Sequence, residues 1–268
     1  MILIAEKLNG SIPSCAAAIA ARDEEYIKDL AKRQADAGVD YIDCCASVRV
    51  NEFETLSWMV DHVQSVTDCP ISLDSPDVSV ILNAMPLCRT PGMFNSISGE
   101  GDKIDIAFPI LAKPENSKWH ILALLCDDTG IPKSAEKRID VFDMIMKKAD
   151  IYGIDEKRLH IDPAVEMICT TDDGEGAFLI LDVMKHIKKA RPKVHISGAV
   201  SNISYNLPVR RLMNQAFTVL AVNAGMDSCV LDPLNSDLRG IILAAEALLG
   251  MDDFCAEYVS AYREGIIK

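Results

Sequence analysis

Aromatic residues are scarce here, at 6% of the chain, and histidine occurs five times. The core must therefore be mostly aliphatic, and a metal centre built on several histidines has little to draw on. Nine cysteines, at 15, 44, 45, 69, 88, 126, 169, 229 and 255, form no CxxC pair. An odd, scattered set argues against a disulfide framework and for small core residues in a reducing cytoplasm. Basic residues are outnumbered, 27 Lys and Arg against 40 Asp and Glu, for a formal net charge of -13. Such a surface repels nucleic acid and anionic membrane, whose phosphates need clustered cations. No apolar run is long enough to span a bilayer. The opening MILIAEKLNG lacks a basic n-region and a small-residue cleavage site, so no signal peptide is expected. No Gly-rich phosphate loop follows the first apolar run, since Leu8-Asn9-Gly10 is not a dinucleotide fingerprint. No low-complexity or Pro/Gly-rich linker divides the chain.

What is present is regular alternation. The 268 residues are 49% hydrophobic, enough for one large core. Strand-like runs recur at Ile2–Ala5, Tyr41–Cys44, Ile71–Leu73, Gly92–Phe94, His120–Leu125, Leu159–Ile161, Val194–Ile196 and Cys229–Leu231. Helix-like segments lie between and after them, at Glu24–Ala37, Asn51–Val66, Val78–Leu87, Asp102–Lys113, Ser134–Tyr152, Gly176–Ala190, Arg210–Ala224 and Leu238–Leu249. Eight strand–helix units in this length predict a single-domain (β/α)8 barrel over residues 1–268, with a doubly wound sheet as the alternative. The tail from Met251 is expected to add a helix, packed on the barrel or at a subunit interface.

Active sites of such barrels lie at the C-terminal ends of the strands. Those ends carry Glu6 and Asn9, Asp43, Asp74 and Ser75, Asn95 and Ser96, Asp127 and Asp128, Asp162, Ser197 with Ser201 and Asn202, and Asp232 with Asn235. Asp128 and Asp232 are expected to be helix caps, because helix starts favour these types. The stretch VHISGAVSNISYNLPVRRLMNQAF, 194–217, runs from a strand into a polar cluster and then to Arg210 at a helix start. Two readings fit it: a site for a flat polar ligand, or a capped helix behind an ordinary turn.

Several carboxylates on one rim need something to bind. A hard cation is one candidate, but no histidine set accompanies them. His62 and His186 fall in helices, while His120, His160 and His195 lie in or at the start of strands, away from the rim. Cys44-Cys45 reads as two small residues at a strand end, so no bound metal is expected. The other candidate is a heterocycle whose ring N–H adjoins an exocyclic amino group, which a carboxylate accepts in paired geometry. Asp74 and Asp162 suit that edge, and the Asn95 amide can meet another ring nitrogen.

At these residues the chain resembles the pterin-binding methyltransferases that move a methyl group between tetrahydrofolate and a corrinoid cobalt. They include the methyltetrahydrofolate:corrinoid/iron–sulfur protein methyltransferases and the folate module of cobalamin-dependent methionine synthase. The matching pieces are AEKLNG at 5–10, ISLDS at 71–75, FNS at 94–96, HIDP at 160–163, SNISYNLPVRRLMNQAF at 201–217 and GMDSCVLDP at 225–233. The resemblance implies a pterin held by Asp74, Asn95 and Asp162, with Asn202 on N5 and Arg210 and Glu6 as further folate contacts. It also implies a (β/α)8 barrel, often a homodimer, with the corrinoid (cobalamin) on a separate protein. No D-x-H-x-x-G cobalamin motif occurs here.

Two departures stand out. The family's second strand often ends in D-x-N, where this chain has Asp43-Cys44-Cys45, and Tyr205 stands where some relatives have Gln. They incline the reading toward transfer from a methylcorrinoid to tetrahydrofolate. Donation from methyltetrahydrofolate to a corrinoid/iron–sulfur protein and a non-catalytic folate-binding subunit stay as alternatives. Dihydropteroate synthase would need a Lys and an S-R-K-like piece where Ser197-Gly198-Ala199 stands, and a zinc-dependent homocysteine methyltransferase would need a third cysteine at the rim.

Overall fold

The computed structural model describes residues 1–47, 51–170 and 177–267. The first half contains β1 (Ile2–Asn9), α1 (Pro13–Ala21), α2 (Glu24–Asp36), β2 (Tyr41–Cys45), α3 (Glu52–Gln64), β3 (Ile71–Asp74), α4 (Val78–Ala84), β4 (Met93–Gly99) and α5 (Lys103–Leu111). The second contains β5 (His120–Asp127), α6 (Ala135–Tyr152), β6 (Leu159–Asp162), α7 (Ala177–Ala190), β7 (His195–Ile196), α8 (Arg210–Asn223), β8 (Ser228–Leu231), α9 (Ser236–Leu248) and α10 (Ala256–Arg263). Among the described residues the eight strands form one sheet in the order β7-β6-β5-β4-β3-β2-β1-β8, and the pairs are parallel. The ring closes just beyond β7, through a parallel bridge between Ala199 and Val230 and a bond from the Val230 N–H to the Gly198 carbonyl. This is the expected (β/α)8 barrel. Among the described residues no helix is long and apolar enough to cross a membrane.

Strand periodicity of two sorts the side chains into two cores. Leu73, Phe94, Ile121, Ile161 and Ile196 face outward into the large layer shared with the helices. Ile4, Met93 and Leu122 face inward and pack with Tyr41, Leu124 and Val230 inside the barrel. The same alternation carries inward-facing Tyr41, Ser72, Met93 and His160 on to Asp43, Asp74, Asn95 and Asp162 two residues later. The polar rim is thus the next layer above a packed interior. Gly92 enters β4 where a Cβ would lie 1.9 Å from the Ile71 carbonyl oxygen, so only glycine permits this strand approach.

The three strand histidines, His120, His160 and His195, fall away from the rim, as expected. His120 Nδ1 lies 2.9 Å from His160 Nε2, and His160 Nδ1 lies 2.9 Å from Ser228 Oγ. His195 stacks on His160 at 4.7 Å between ring centroids, and its Nδ1 meets Asp227. Burial holds His120 and His160 below the ordinary histidine range, so they serve as neutral, hydrogen-bonded packing.

Several expectations need correction. Asp128 and Asp232 do not cap helices: Ser134 caps α6 and Asn235 caps α9. Asp128 instead accepts from the Gly101 N–H, and Asp232 accepts from the Leu234 N–H. Glu6 and Asn95 lie within longer strands, not at their ends. The sequence reading omitted α1, whose PSCAAAIAA is apolar all round and has no side-chain cap; Pro at its first turn was the available signal. The expected helix 78–87 is α4 followed by a 3-10 turn at Met85–Leu87, and Gly176 lies outside the described residues. The tail does add a helix, α10, beside α9.

Arg138 on α6 is buried and secures the turn after β6. Its Nε donates to the Pro132 carbonyl and its Nη1 to the Ala164 carbonyl, while Nη2 pairs with Glu166. Arg138→Met should therefore destabilise the protein by about 3–5 kcal/mol, because it leaves buried carbonyls and a carboxylate unmatched. Urea unfolding checks this; a loss under about 1 kcal/mol would contradict the role.

Candidate active site

The cavity at the C-terminal end of the barrel has a volume of about 650 Å³. Its lining includes each of the residues singled out from the sequence: Glu6, Asp74, Asn95, Asp162, Asn202 and Arg210. Leu122, Leu124 and Val230 contribute an apolar surface, and Ile12 and Pro13 bring in the start of α1. Polar groups opposed by flat apolar area suit a planar heterocycle.

Glu6 reaches the cavity through an irregularity in β1. Register shifts between Ala5 and Leu8, where one extra residue opposes β2. The Lys7 N–H donates to Gln34 Oε1 on α2 at 3.1 Å. Lys7 itself swings to Asp232, 3.0 Å away. A bulge of this kind re-aims a side chain, and here Glu6 continues the inward row begun by Ile4. Burial first, then the nearby Asp232 charge, pushes the Glu6 carboxyl up to about 7.

On the opposite wall, Asn95 sits at a register shift in β4, and its peptide bond to Ser96 is cis. Asn95 Nδ2 donates to Asp43 Oδ1 at 3.0 Å, and Ser72 Oγ donates to the same oxygen at 2.5 Å. Burial holds Asp43 well above the usual carboxylate range, and the adjacent Asp74 charge adds to it. Asp74 is also raised, by burial. Asp162 Oδ1 accepts from the Ala164 N–H at 2.8 Å, yet burial still pushes its carboxyl up to about 6. Asp43 was noted as a strand end but not selected from the sequence. The inward row of β2 was the signal that could have found it.

Asn202 belongs to a 3-10 turn, Val200–Ser204, that follows β7 directly. Arg210 ties that turn to α8: its Nε donates to Ser204 Oγ at 3.1 Å and its Nη2 to the Ser201 carbonyl at 2.7 Å. Ser204 Oγ in turn donates to Asn214 Oδ1 at 2.6 Å. The Arg210 guanidinium lies 5.3 Å from the Tyr205 ring centroid. The capped-helix reading is not met, since α8 has Val209 at its N-cap position and no side-chain cap. Hydroxyl, amide and guanidinium groups brace the turn instead, and Asn202 lines the cavity. Cys44 and Cys45 are buried free thiols raised by burial. Among the described residues no group of three His, Cys, Asp or Glu side chains could hold a metal ion.

A barrel with this polar cavity defines a class, and sequence comparison places the chain within it. The family model for pterin binding enzymes matches residues 8–232, and the chain belongs to that family. Over 269 residues it is 42% identical to a methylcorrinoid:tetrahydrofolate methyltransferase of Eubacterium limosum, covering 100% of this chain and 98% of that protein. It is 24% identical over 222 residues to methionine synthase of Mycobacterium leprae, covering 80% of this chain but 18% of that much longer protein. A dihydropteroate synthase of Coxiella burnetii, solved with pteroic acid, aligns at a TM-score of 0.67 and 15% identity over 92% of each chain; that likeness concerns the fold alone.

The raised carboxyls have a consequence for stability. Glu6 binds its proton more tightly folded than unfolded, so its contribution is complete below pH 4.5 and is lost as pH rises through about 7. Asp162 behaves likewise between 3.8 and about 6. Glu6→Gln should therefore raise the melting temperature more at about pH 8 than at about pH 5, by the equivalent of about 1–2 kcal/mol after solvent screening. Thermal unfolding of the ligand-free protein at both values checks it, and an equal shift at both would contradict the assignment.

Proposed function

We propose that this protein is a methyltransferase that carries a methyl group from the cobalt of a methylcorrinoid, held by a separate corrinoid protein, to N5 of tetrahydrofolate. The observation that carries the reading is the convergence of Glu6, Asp74, Asn95, Asp162, Asn202 and Arg210 on one cavity. Full-length likeness to an enzyme named for that reaction supports it. A homodimer in the cytoplasm completes the reading, and nine free cysteines support a reducing compartment.

Asp74 and Asp162 accept the paired N–H donors of the pterin edge, and Asn95 meets a further ring nitrogen. Burial makes these bonds strong, because an ionised acid here has few other partners. Asn202 addresses N5. In the transfer the N5 lone pair forms the new N–C bond, the cobalt–carbon pair stays on cobalt as it is reduced to Co(I), and the N5 proton is released. An amide serves both ends of this step, accepting from N5–H before it and donating to N5 afterwards. It is a weak acid, so its contribution is orientation of the methyl acceptor in a closed, dry complex.

The test is to mix the purified protein with methylcob(III)alamin and tetrahydrofolate and follow the visible spectrum. Enzyme-dependent loss of methylcobalamin with formation of methyltetrahydrofolate is expected. Tetrahydrofolate binding without exchange, even with a cognate corrinoid protein, would favour a folate-binding subunit. Asn202→Ala should lower turnover about 100-fold while changing tetrahydrofolate affinity less than about threefold. Asp74→Ala and Asp162→Ala should each weaken binding about tenfold or more. Unchanged affinity in both aspartate variants would contradict the pterin geometry.

A further inference from the structure

Asp43 is the carboxyl of the cavity that the ligand assignment leaves without a task. It is 3% exposed, at the cavity wall beside Asp74 and Asn95. Its Oδ1 already accepts two hydrogen bonds, from Ser72 Oγ and Asn95 Nδ2. Asp74 on β3 lies between β2 and β4: it is the register partner of Asn95 on β4, it sits two residues beyond Ser72, the partner of Asp43 on β2, and the Asn95–Asp43 bond crosses β3 beside it. Two neighbouring carboxylates enclosed away from water do not both stay charged, so a pair of this kind holds one proton between them. With Oδ1 occupied by donors, Oδ2 is the atom left to carry it.

We propose that Asp43 is a neutral positioning acid, whose Oδ2–H is shared with Asp74 and whose Oδ1 pins the Asn95 amide. Asp74 then meets the ligand as the charged member of the pair. Asn95 has one N–H committed to Asp43, which fixes the plane of its amide and leaves its carbonyl and second N–H for the ring. Asp43 never touches the ligand; it sets the charge of one binding group and the direction of another.

The surroundings agree. The other groups near Asp43 are Glu6 on β1 and Asp74 on β3, and those near Asp74 are Cys45 on β2 and Glu52 on α3. Each is acidic or neutral, so no cation among these groups draws the proton away. Burial and the Asp74 charge together hold the Asp43 carboxyl well above the usual range. The Ser72 and Asn95 donors oppose this, but they act on a single oxygen.

The protonation state can be read without any ligand, while the effect on binding rests on the proposed tetrahydrofolate site. Infrared spectra of the ligand-free protein near neutral pH should show a protonated-carboxyl carbonyl band that Asp43→Asn removes. No difference between the two proteins would overturn the proposal. Asparagine can mimic the neutral acid, accepting from Ser72 and Asn95 through Oδ1 and donating to Asp74 through Nδ2. Tetrahydrofolate affinity should therefore change less than about threefold in Asp43→Asn and fall about tenfold or more in Asp43→Leu, which loses both bonds. Equal loss in the two variants, or none in Asp43→Leu, would overturn it as well. If Asp43→Leu does not fold, the infrared difference and the asparagine rescue still decide. Failure of the wild-type protein to bind tetrahydrofolate would count against the proposed function, and the infrared difference would still decide the state of Asp43.

Discussion

Four carboxyl groups, on Glu6, Asp43, Asp74 and Asp162, share one cavity whose described lining offers a single cation, Arg210. Arg210 is itself engaged with Ser204 and the Ser201 carbonyl. Burial of acids without counter-charge costs free energy and drives them toward their neutral forms. The raised carboxyls are that cost made visible. A ligand that brings several N–H donors on a flat edge removes it, because each bond favours the ionised acid. The empty site is thus unfavourable, and under the proposed function a pterin edge would relieve that cost, an exchange of stability for recognition.

The barrel makes most of this arrangement by regular strand alternation. Alternation along the strands sets Asp43, Asp74, Asn95 and Asp162 one layer above the aliphatic plug of Ile4, Met93 and Leu122. The plug lies between the cavity and the histidine cluster beneath it, and it supplies dry surface for a ring to lie on. Departures from regularity occur where the cavity needs them. The β1 bulge turns Glu6 inward and sends Lys7 to Asp232, and Gln34 takes up the N–H that the ladder gave up. Arg138, fully enclosed, holds the turn after Asp162 from behind.

Much of this was legible in the sequence because periodicity is a strong signal. Alternating strand and helix patterns located the eight strands, although β1 and β4 run on past their expected ends to Asn9 and Gly99, and the tail was expected to add a helix without a stated span. The helix α1 escaped because an apolar, uncapped segment carries no amphipathic period. The caps were misassigned at Asp128 and Asp232 because Asp suits both a cap and a turn, and only the backbone shows which N–H it meets. The residues singled out by type and spacing, Glu6, Asp74, Asn95, Asp162, Asn202 and Arg210, do line one cavity. Asp43 and Arg138 were not selected, because their partners, Asn95 52 residues away and Ala164 26 residues away, become neighbours only after folding.

The central claim is that these acids await N–H donors from a flat polar ligand. It makes the binding of tetrahydrofolate a proton-linked event. If the pterin edge favours the ionised carboxyls, binding must expel the protons they hold in the empty cavity. Calorimetric titration with tetrahydrofolate at about pH 6, repeated in buffers of different ionisation enthalpy, measures that directly. Net proton release on binding, diminished in Asp162→Asn, is the expected result. Binding with proton uptake or with no exchange, or no binding at all, would contradict the account.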